Sequence, residues 1–168
     1  MYLMRSPPIL FMPAFRNVII IGGGISAHTA AVYTARASLS PLVISGEKPD
    51  QLSLTTLVEN FPGFPQGVLG PDLVQQARDQ AKKFGAEYVM ETVTSVLPIK
   101  GGYEVVTSEN KYAARTLIIS TGADAKTTGI PGEKQFFGRG VSTCAVCDAA
   151  LYREKNTVVI GGGDSAME

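Results

Sequence analysis

The chain opens its readable pattern with an unbroken apolar run, Val18-Ile19-Ile20-Ile21, three of whose members follow one another as isoleucine. A run with no polar alternation and β-branched throughout suits a parallel strand covered on both faces. Ala27 to Ala37 follows a glycine turn; it is alanine-rich, free of Gly and Pro, and predicts a helix. Pro41 then leads into a second apolar run, Leu42-Val43-Ile44. Strand, turn, helix and strand make one βαβ unit, with a right-handed crossover expected.

From Glu47 to Gly70 the periodicity lapses, with Pro49, Pro62, Pro65, Gly63, Gly67 and Gly70 in the interval. A loop of this length inside a compact domain is usually functional or disordered. Pro71 stands where a first helical residue belongs. Leu73, Val74, Ala77, Ala81 and Phe84 recur at helical spacing, and Gly85 closes the helix. Three β-type runs come next, at Val93 to Leu97, Tyr103 to Thr107 and Tyr112 to Thr121, separated by Gly101-Gly102 and Glu109-Asn110. They predict an antiparallel meander that ends in a buried strand, Leu117-Ile118-Ile119. Gly129 to Gly140 reads as a connector between domains. Beyond it, Thr157-Val158-Val159-Ile160 repeats the buried-strand signature before a second glycine turn.

The two turns align without gaps. Ile-Gly-Gly-Gly-x-Ser-Ala occurs at Ile21 to Ala27 and again at Ile160 to Ala166, an internal repeat of one nucleotide-binding element. Each fits G-x-G-x-x-A, a variant of the dinucleotide fingerprint. Gly22 permits the tight turn, Gly24 lets a pyrophosphate reach the backbone, and Ala27 allows close helix-to-strand packing. Phosphates would then lie over free N–H groups at a helix N-terminus. The bland alternative is a tight turn that binds nothing, and the strand before each match and helix behind the first argue against it. In the second turn the contacts fall on Gly161, Gly163, Asp164 and Ser165, although most walls of that site are absent from the chain. A ribose partner belongs about 20 residues past the first turn. Ser45 and Gly46 occupy that place; Glu47 is the nearest carboxylate and is favoured as a solvated loop charge.

Composition narrows the classes. Fifteen basic and fifteen acidic side chains give no net charge, so there is no electrostatic case for nucleic acid or an anionic membrane. No apolar run approaches the roughly 20 residues of a membrane helix. Met1 to Phe15 is apolar, with three prolines and one arginine, and reads as an unstructured extension rather than a signal peptide. The two cysteines stand in one tetrapeptide, Cys144-Ala145-Val146-Cys147, with Asp148 directly after. They are too few for a secreted disulfide scaffold, and they imply a reducing, cytoplasmic compartment. A disulfide between them closes a small ring that opens and reforms without unfolding anything. Asp148, adjacent to the pair, is placed to pass a proton to a leaving thiolate. Redox chemistry ranks first; two inert core cysteines rank second. A metal half-site ranks third, because it lacks a second ligand pair and the only histidine, His28, reads as a packing or helix-surface residue. No metal is expected.

Together these residues resemble the low-molecular-weight thioredoxin reductases, NADPH-dependent flavoproteins. The markers are Gly22 to Ala31, Val-Glu-Asn-Phe-Pro-Gly-Phe-Pro at Val58 to Pro65, Ser-Thr-Gly-Ala at Ser120 to Ala123, Cys144 to Asp148, and Gly161 to Glu168, and they run from about Asn17 to the end. The resemblance implies an α/β protein. An extension (1–16) precedes a Rossmann-like FAD-binding domain with a β-meander (17–125), then the start of a second Rossmann-like, NADPH-binding domain (126–168). It implies that Gly23, Gly24, Ile25 and Ser26 touch the FAD pyrophosphate, that Gln51 and Asn60 contact the flavin side, and that Val93 meets the adenine end. Thr121, Gly122 and Ala123 would line the cofactor near the domain junction. Cys147 would lie nearest the isoalloxazine, Cys144 would attack thioredoxin, and Asp148 would be the general acid. Electrons would pass from NADPH through FAD to the disulfide and on to thioredoxin, in a homodimer whose nucleotide domain rotates between half-reactions. Other readings are an FAD- and oxygen-dependent dithiol oxidase of the same fold, and a non-catalytic flavin-binding remnant. Three departures stand out. Pro49-Asp50 replaces the family's Gly-Gly, and Ala149 replaces a glycine. Family members also continue well beyond Glu168, so the chain looks like the first part of one and is expected not to turn over NADPH alone.

Overall fold

A computed structural model describes residues 15–167, which divide after Gly122 into two compact units. Residues 1–14, the bulk of the expected extension, lie outside the described residues.

The first unit is built on a six-stranded sheet in the order β5-β2-β1-β8-β7-β6. Its strands are β1 (Arg16–Ile21), β2 (Leu42–Ile44), β5 (Glu87–Val89), β6 (Val93–Ile99), β7 (Gly102–Thr107) and β8 (Lys111–Ile119). β5, β2, β1 and β8 pair in parallel in that order, while β8, β7 and β6 form the antiparallel meander. The unbroken apolar run of β1 now has its reason, because strand alternation sends it into two cores. Val18 and Ile20 face a layer of small helical residues: Ala27, Ala31 and Ala35 of α1 (Ile25–Arg36), with Ala81 of α2 (Gly70–Lys83). Ile19 and Ile21 face Leu42, Ile44, Val105 and Ala114 on the other side. The alanines at four-residue spacing bring the α1 backbone close to the sheet, which positions the helix start at the strand ends.

In the first unit, β5 and the elements within the irregular segment before α2 were not anticipated. Glu87–Val89 is a strand, pairing in parallel with β2 through Leu42 and Glu87. Three residues with one carboxylate carry too little pattern to announce an edge strand, and it is set by its neighbour and by the Arg16–Glu87 ion pair, 2.8 Å. Within the irregular segment before α2, a two-stranded hairpin joins β3 (Leu57–Val58) and β4 (Val68–Leu69), preceded by a 3₁₀ turn at Leu52–Leu54. Strands of two residues leave no periodicity to read.

His28 is buried, 1% exposed, and so it packs rather than lying on the helix surface. Its Nδ1 lies 3.0 Å from the Tyr88 hydroxyl of β5. Glu91, also buried, accepts hydrogen bonds from Thr107, Asn110 (2.9 Å) and Tyr112 (2.7 Å). This ties the segment leading into β6 onto the β7–β8 hairpin and so fixes Val93 two residues later.

The second unit contains α3 (Glu133–Phe136), α4 (Ala145–Asp148), a 3₁₀ turn at Ala149–Tyr152, and α5 (Asp164–Met167). Glu133 is buried and accepts the Thr128 and Gly129 N–H groups at 2.9 and 2.7 Å, the first of which does most to hold its carboxyl below the usual range. The buried strand expected at Thr157 to Ile160 is not formed. Val158, Val159 and Ile160 are instead 87, 68 and 65% exposed. A parallel strand takes its hydrogen bonds from neighbours, and among the described residues no strand lies beside this one. Among the described residues no helix is long and apolar enough to cross a membrane.

Burial, and then the Arg78 guanidinium, lower the pKa of His28, against smaller opposing effects of Asp50 and the Gly23 backbone. The neutral ring is therefore the folded form, and its contribution is complete above the ordinary histidine pKa and falls as pH drops below about 6.5. His28 is the only histidine in the chain. Chemical unfolding between pH 7.5 and 5.5 is expected to show stability declining toward acid, and His28→Gln is expected to flatten that slope.

Candidate functional site

The first glycine turn leaves the C-terminal end of β1 and enters α1. Gly22 sits at φ +133°, and its N–H donates to the Ile44 carbonyl at 2.9 Å. A Cβ on Gly22 would lie 2.0 Å from the Ser120 carbonyl oxygen, and one on Gly23 would lie 2.4 Å from that of Ser45. Both glycines are thus required by backbone packed against backbone. Gly24 differs: its φ is −87°, and the nearest atom to an added Cβ is Asp50 Cβ at 3.6 Å. The open face of the turn is therefore at Gly24, the position at which the fingerprint brings the pyrophosphate to the backbone.

Gly24 is also the N-cap of α1, with no side-chain hydrogen bond to it and no acidic residue in the first turn. The leading N–H groups of a helix have no intrahelical partner and attract an anion. Ile25 is half-buried, Ser26 exposed, and Ala27 buried against the sheet. The residues present fit a dinucleotide pyrophosphate: an open glycine, uncapped amides and no carboxylate within the helix start.

The first unit gathers several other site candidates around this turn. Ser45 and Gly46 follow β2, with Ser45 against Gly23 and Gly46 at φ +77°. The Ser45 hydroxyl donates to the Val89 carbonyl at 3.2 Å and its N–H to the same oxygen at 3.0 Å, so Ser45 ties β2 to β5. Thr121 and Gly122 follow β8 beside Gly22, whose Cβ position lies 3.3 Å from the Thr121 N; both are exposed. Gln51, exposed, adjoins Asp50 across from Gly24. Val93 is half-buried at the start of β6, packed on the core that holds Ile21 and Ile44. Asn60 is exposed on a shallow concavity formed by residues 59–65 between β3 and β4. Glu47 is exposed. Ala123 belongs to the second unit.

In the second unit Cys144 and Cys147 form a disulfide, with Cα atoms 5.3 Å apart. Cys144 is the N-cap of α4, and its Sγ accepts the Cys147 N–H at 3.2 Å. Asp148 stands in the same turn, its N–H donating to the Cys144 carbonyl at 3.1 Å. Ser142, which the motif did not single out, joins the two. Its hydroxyl donates to Asp148 Oδ2 at 2.6 Å, and its oxygen accepts the Cys144 N–H at 3.1 Å. A serine two residues ahead of the residue it caps is a recognisable turn signal, and that position was its only trace in the sequence. Cys147 is exposed and Cys144 half-buried within this unit.

The second glycine turn keeps the backbone of the first at its leading residue, where Gly161 has φ +141°. A Cβ on Gly161 would lie 3.2 Å from that of Ala166, and one on Gly163 would meet nothing within 4 Å. Asp164 and Ser165 begin α5, and Ala166 N–H donates to the Gly163 carbonyl at 2.9 Å.

The chain thus carries a glycine turn on a parallel-sheet unit, and a disulfide beside a carboxylate with a second glycine turn in the other unit. The chain belongs to the pyridine nucleotide-disulphide oxidoreductase family, whose profile matches residues 16–168. Among characterised relatives it is similar to the thioredoxin reductase of Mycolicibacterium smegmatis, 48% identical over 156 residues covering 90% of this chain and 49% of that protein. It is likewise similar to that of Bacillus subtilis, 51% identical over 154 residues covering 90% of this chain and 48% of that one. The crystal structure of thioredoxin reductase from Streptococcus pyogenes MGAS5005 superimposes with a TM-score of 0.81 at 39% identity, over 91% of this chain and 50% of its own. The chain spans about half the length of the curated relatives it matches.

Gly22→Ala and Gly23→Ala are each expected to cost about 1–3 kcal/mol through enforced overpacking, read as a fall in the denaturant midpoint. Gly24→Ala, at an ordinary φ and with only an ordinary van der Waals contact to Asp50 Cβ at 3.6 Å, is expected to stay within about 0.5 kcal/mol of wild type. Equal losses at all three positions would contradict this division of roles.

Proposed function

We propose that the protein is a thioredoxin-disulfide reductase that passes electrons from NADPH through FAD to the Cys144–Cys147 disulfide and on to thioredoxin. The observation that carries the reading is that disulfide, held in one short turn with Ser142 and Asp148. FAD, when bound, supplies a two-electron carrier between a nicotinamide and a dithiol.

The residues of the chain divide the work. Gly24, Ile25 and Ser26 offer their backbone to the FAD pyrophosphate, with Gly22 and Gly23 shaping the turn and Ala27 seating the helix. Ser45 and Gly46 border the ribose side, Gln51 and Asn60 the flavin side, Val93 the adenine end, and Thr121, Gly122 and Ala123 the remaining edge. Gly161, Gly163, Asp164 and Ser165 form the corresponding turn for NADPH. The domain limits at 17–125 and 126–168, a homodimer and a cytoplasmic setting belong to the same proposal.

Two electrons cleave the Cys144–Cys147 bond, and the sulfurs take up protons to become thiols. The Cys147 N–H that points at Cys144 Sγ favours the thiolate on Cys144. This makes Cys144 the nucleophile that attacks the thioredoxin disulfide, forming a mixed disulfide and expelling one thioredoxin thiolate, which takes a proton. Cys147 then attacks Cys144 Sγ, restoring the intramolecular bond and releasing the second thioredoxin sulfur. Asp148, oriented by the Ser142 hydroxyl, holds the proton for the leaving thiolate.

The test uses thioredoxin whose resolving cysteine is replaced by serine and whose remaining cysteine is carried as a mixed disulfide with thionitrobenzoate, which departs as the thiolate when the enzyme thiol attacks. Cys147→Ser is expected to trap a mixed disulfide on a non-reducing gel, and Cys144→Ser to trap none; the reverse pattern would overturn the assignment. Ser142→Ala, which releases Asp148, is expected to slow the exchange about tenfold while leaving the disulfide intact. An unchanged rate would exclude a role for that hydrogen bond. Gly24→Ala is expected to lower FAD affinity, measured by quenching of flavin fluorescence, despite its near-native stability.

A further inference from the structure

Asp50 lies at the one open face of the glycine turn, yet the functions assigned above do not use it. It is the side chain nearest to Gly24, with its Cβ 3.6 Å from where a Gly24 Cβ would stand. Its carboxylate is turned back on its own segment. Oδ1 accepts the N–H groups of Leu52 at 3.0 Å and Ser53 at 3.2 Å, and Oδ2 accepts the Ser53 hydroxyl at 2.5 Å. These bonds cap the 3₁₀ turn Leu52–Leu54, whose leading amides would otherwise have no partner.

The other end of the segment is pinned independently. The Leu52 carbonyl oxygen would lie 2.0 Å from a Cβ on Gly70, so glycine there lets the turn settle on the start of α2. Gly70 N–H donates to the Thr56 carbonyl at 2.8 Å. The segment is therefore a braced wall, fixed by Asp50 in front and by Gly70 behind. Gln51, the candidate flavin contact, is the residue between the capping carboxylate and the turn it caps.

We propose that Asp50 is a positioning residue of the flavin site: by capping its own turn it holds Gln51 and the adjoining backbone against the open face at Gly24. The inference rests on the flavin reading above. Asp50 acts through the turn and not as a ligand. Three donors already engage its two oxygens, and a negative charge beside the uncapped α1 start opposes a pyrophosphate rather than attracting it. The useful property of the side chain is its acceptor oxygens, and the charge is a cost that the two amides and the hydroxyl offset.

Two variants separate these properties. Asp50→Asn keeps an acceptor oxygen for the Leu52 and Ser53 amides and removes the charge; Asp50→Ala removes both. FAD binding is measured by fluorescence titration, and amide hydrogen exchange at Leu52 and Ser53 is measured in the ligand-free protein. Asp50→Ala is expected to weaken FAD binding about fivefold to tenfold and to speed exchange at both amides by a similar factor, the size of a lost cap. Asp50→Asn is expected to retain protection and to bind FAD at least as well as wild type. If Asp50→Asn weakens binding as much as Asp50→Ala, the charge itself is the binding determinant and the positioning role is overturned. Wild-type binding with an unaffected Asp50→Ala variant overturns the Asp50 assignment alone. A wild-type protein that takes up no FAD sinks the flavin reading, and the flavin role of Asp50 with it.

Discussion

The first unit is organised by the approach of backbone to backbone at the carboxyl ends of β2, β1 and β8. Gly22 lies against the Ser120 carbonyl and Gly23 against that of Ser45, at separations no side chain can share. Because β1 is central to three parallel strands, removing both Cβ atoms lets the segments after β2 and β8 close onto the turn. The same parallel arrangement aligns the strand ends at one edge of the sheet, where ligands of open α/β folds bind. The turn can then pass directly into α1, and the alanine face of that helix holds its start at the mouth of the sheet. The geometry leaves the leading amides of α1 without a capping side chain, the arrangement on which the proposed anion site rests.

The dithiol turn of the second unit uses a different economy of groups. Within seven residues, Ser142 to Asp148, one hydroxyl both accepts from the Cys144 amide and donates to the Asp148 carboxylate. The Cys147 amide meets the Cys144 sulfur in the same turn. Local hydrogen bonds of this kind need no deep core, which suits a disulfide turn held near the surface. They also separate the two sulfurs chemically, since only one of them receives an amide.

Legibility varied with the range of the interaction. The βαβ unit, the long second helix and the meander were all readable, because each carries several turns or strand pairs of its own periodicity. β5 was not, because Glu-Tyr-Val is made a strand by β2 beside it. His28 could be read only as a packing or a helix-surface residue, since its burial depends on Tyr88, sixty residues away in the sequence. The segment Thr157 to Ile160 shows the converse failure. Like Val18 to Ile21 of β1 it is β-branched throughout, yet β1 has β2 and β8 to pair with, and this segment has no strand beside it among the described residues.

The candidate site divides along the same line. The sequence by itself determined the glycine turns, the cysteine pair with its carboxylate, and the order in which they occur, because each is a contiguous motif whose chemistry depends on neighbours a few residues away. Only the tertiary structure decided that Gly22 and Gly23 answer to strand packing while Gly24 alone keeps an open face. Only it showed that Asp50 lies across from that face, and that Ser142 bridges the cysteine and the aspartate. Those assignments turn on distances between segments, and a residue's identity specifies what it can bond but not what folding brings within reach.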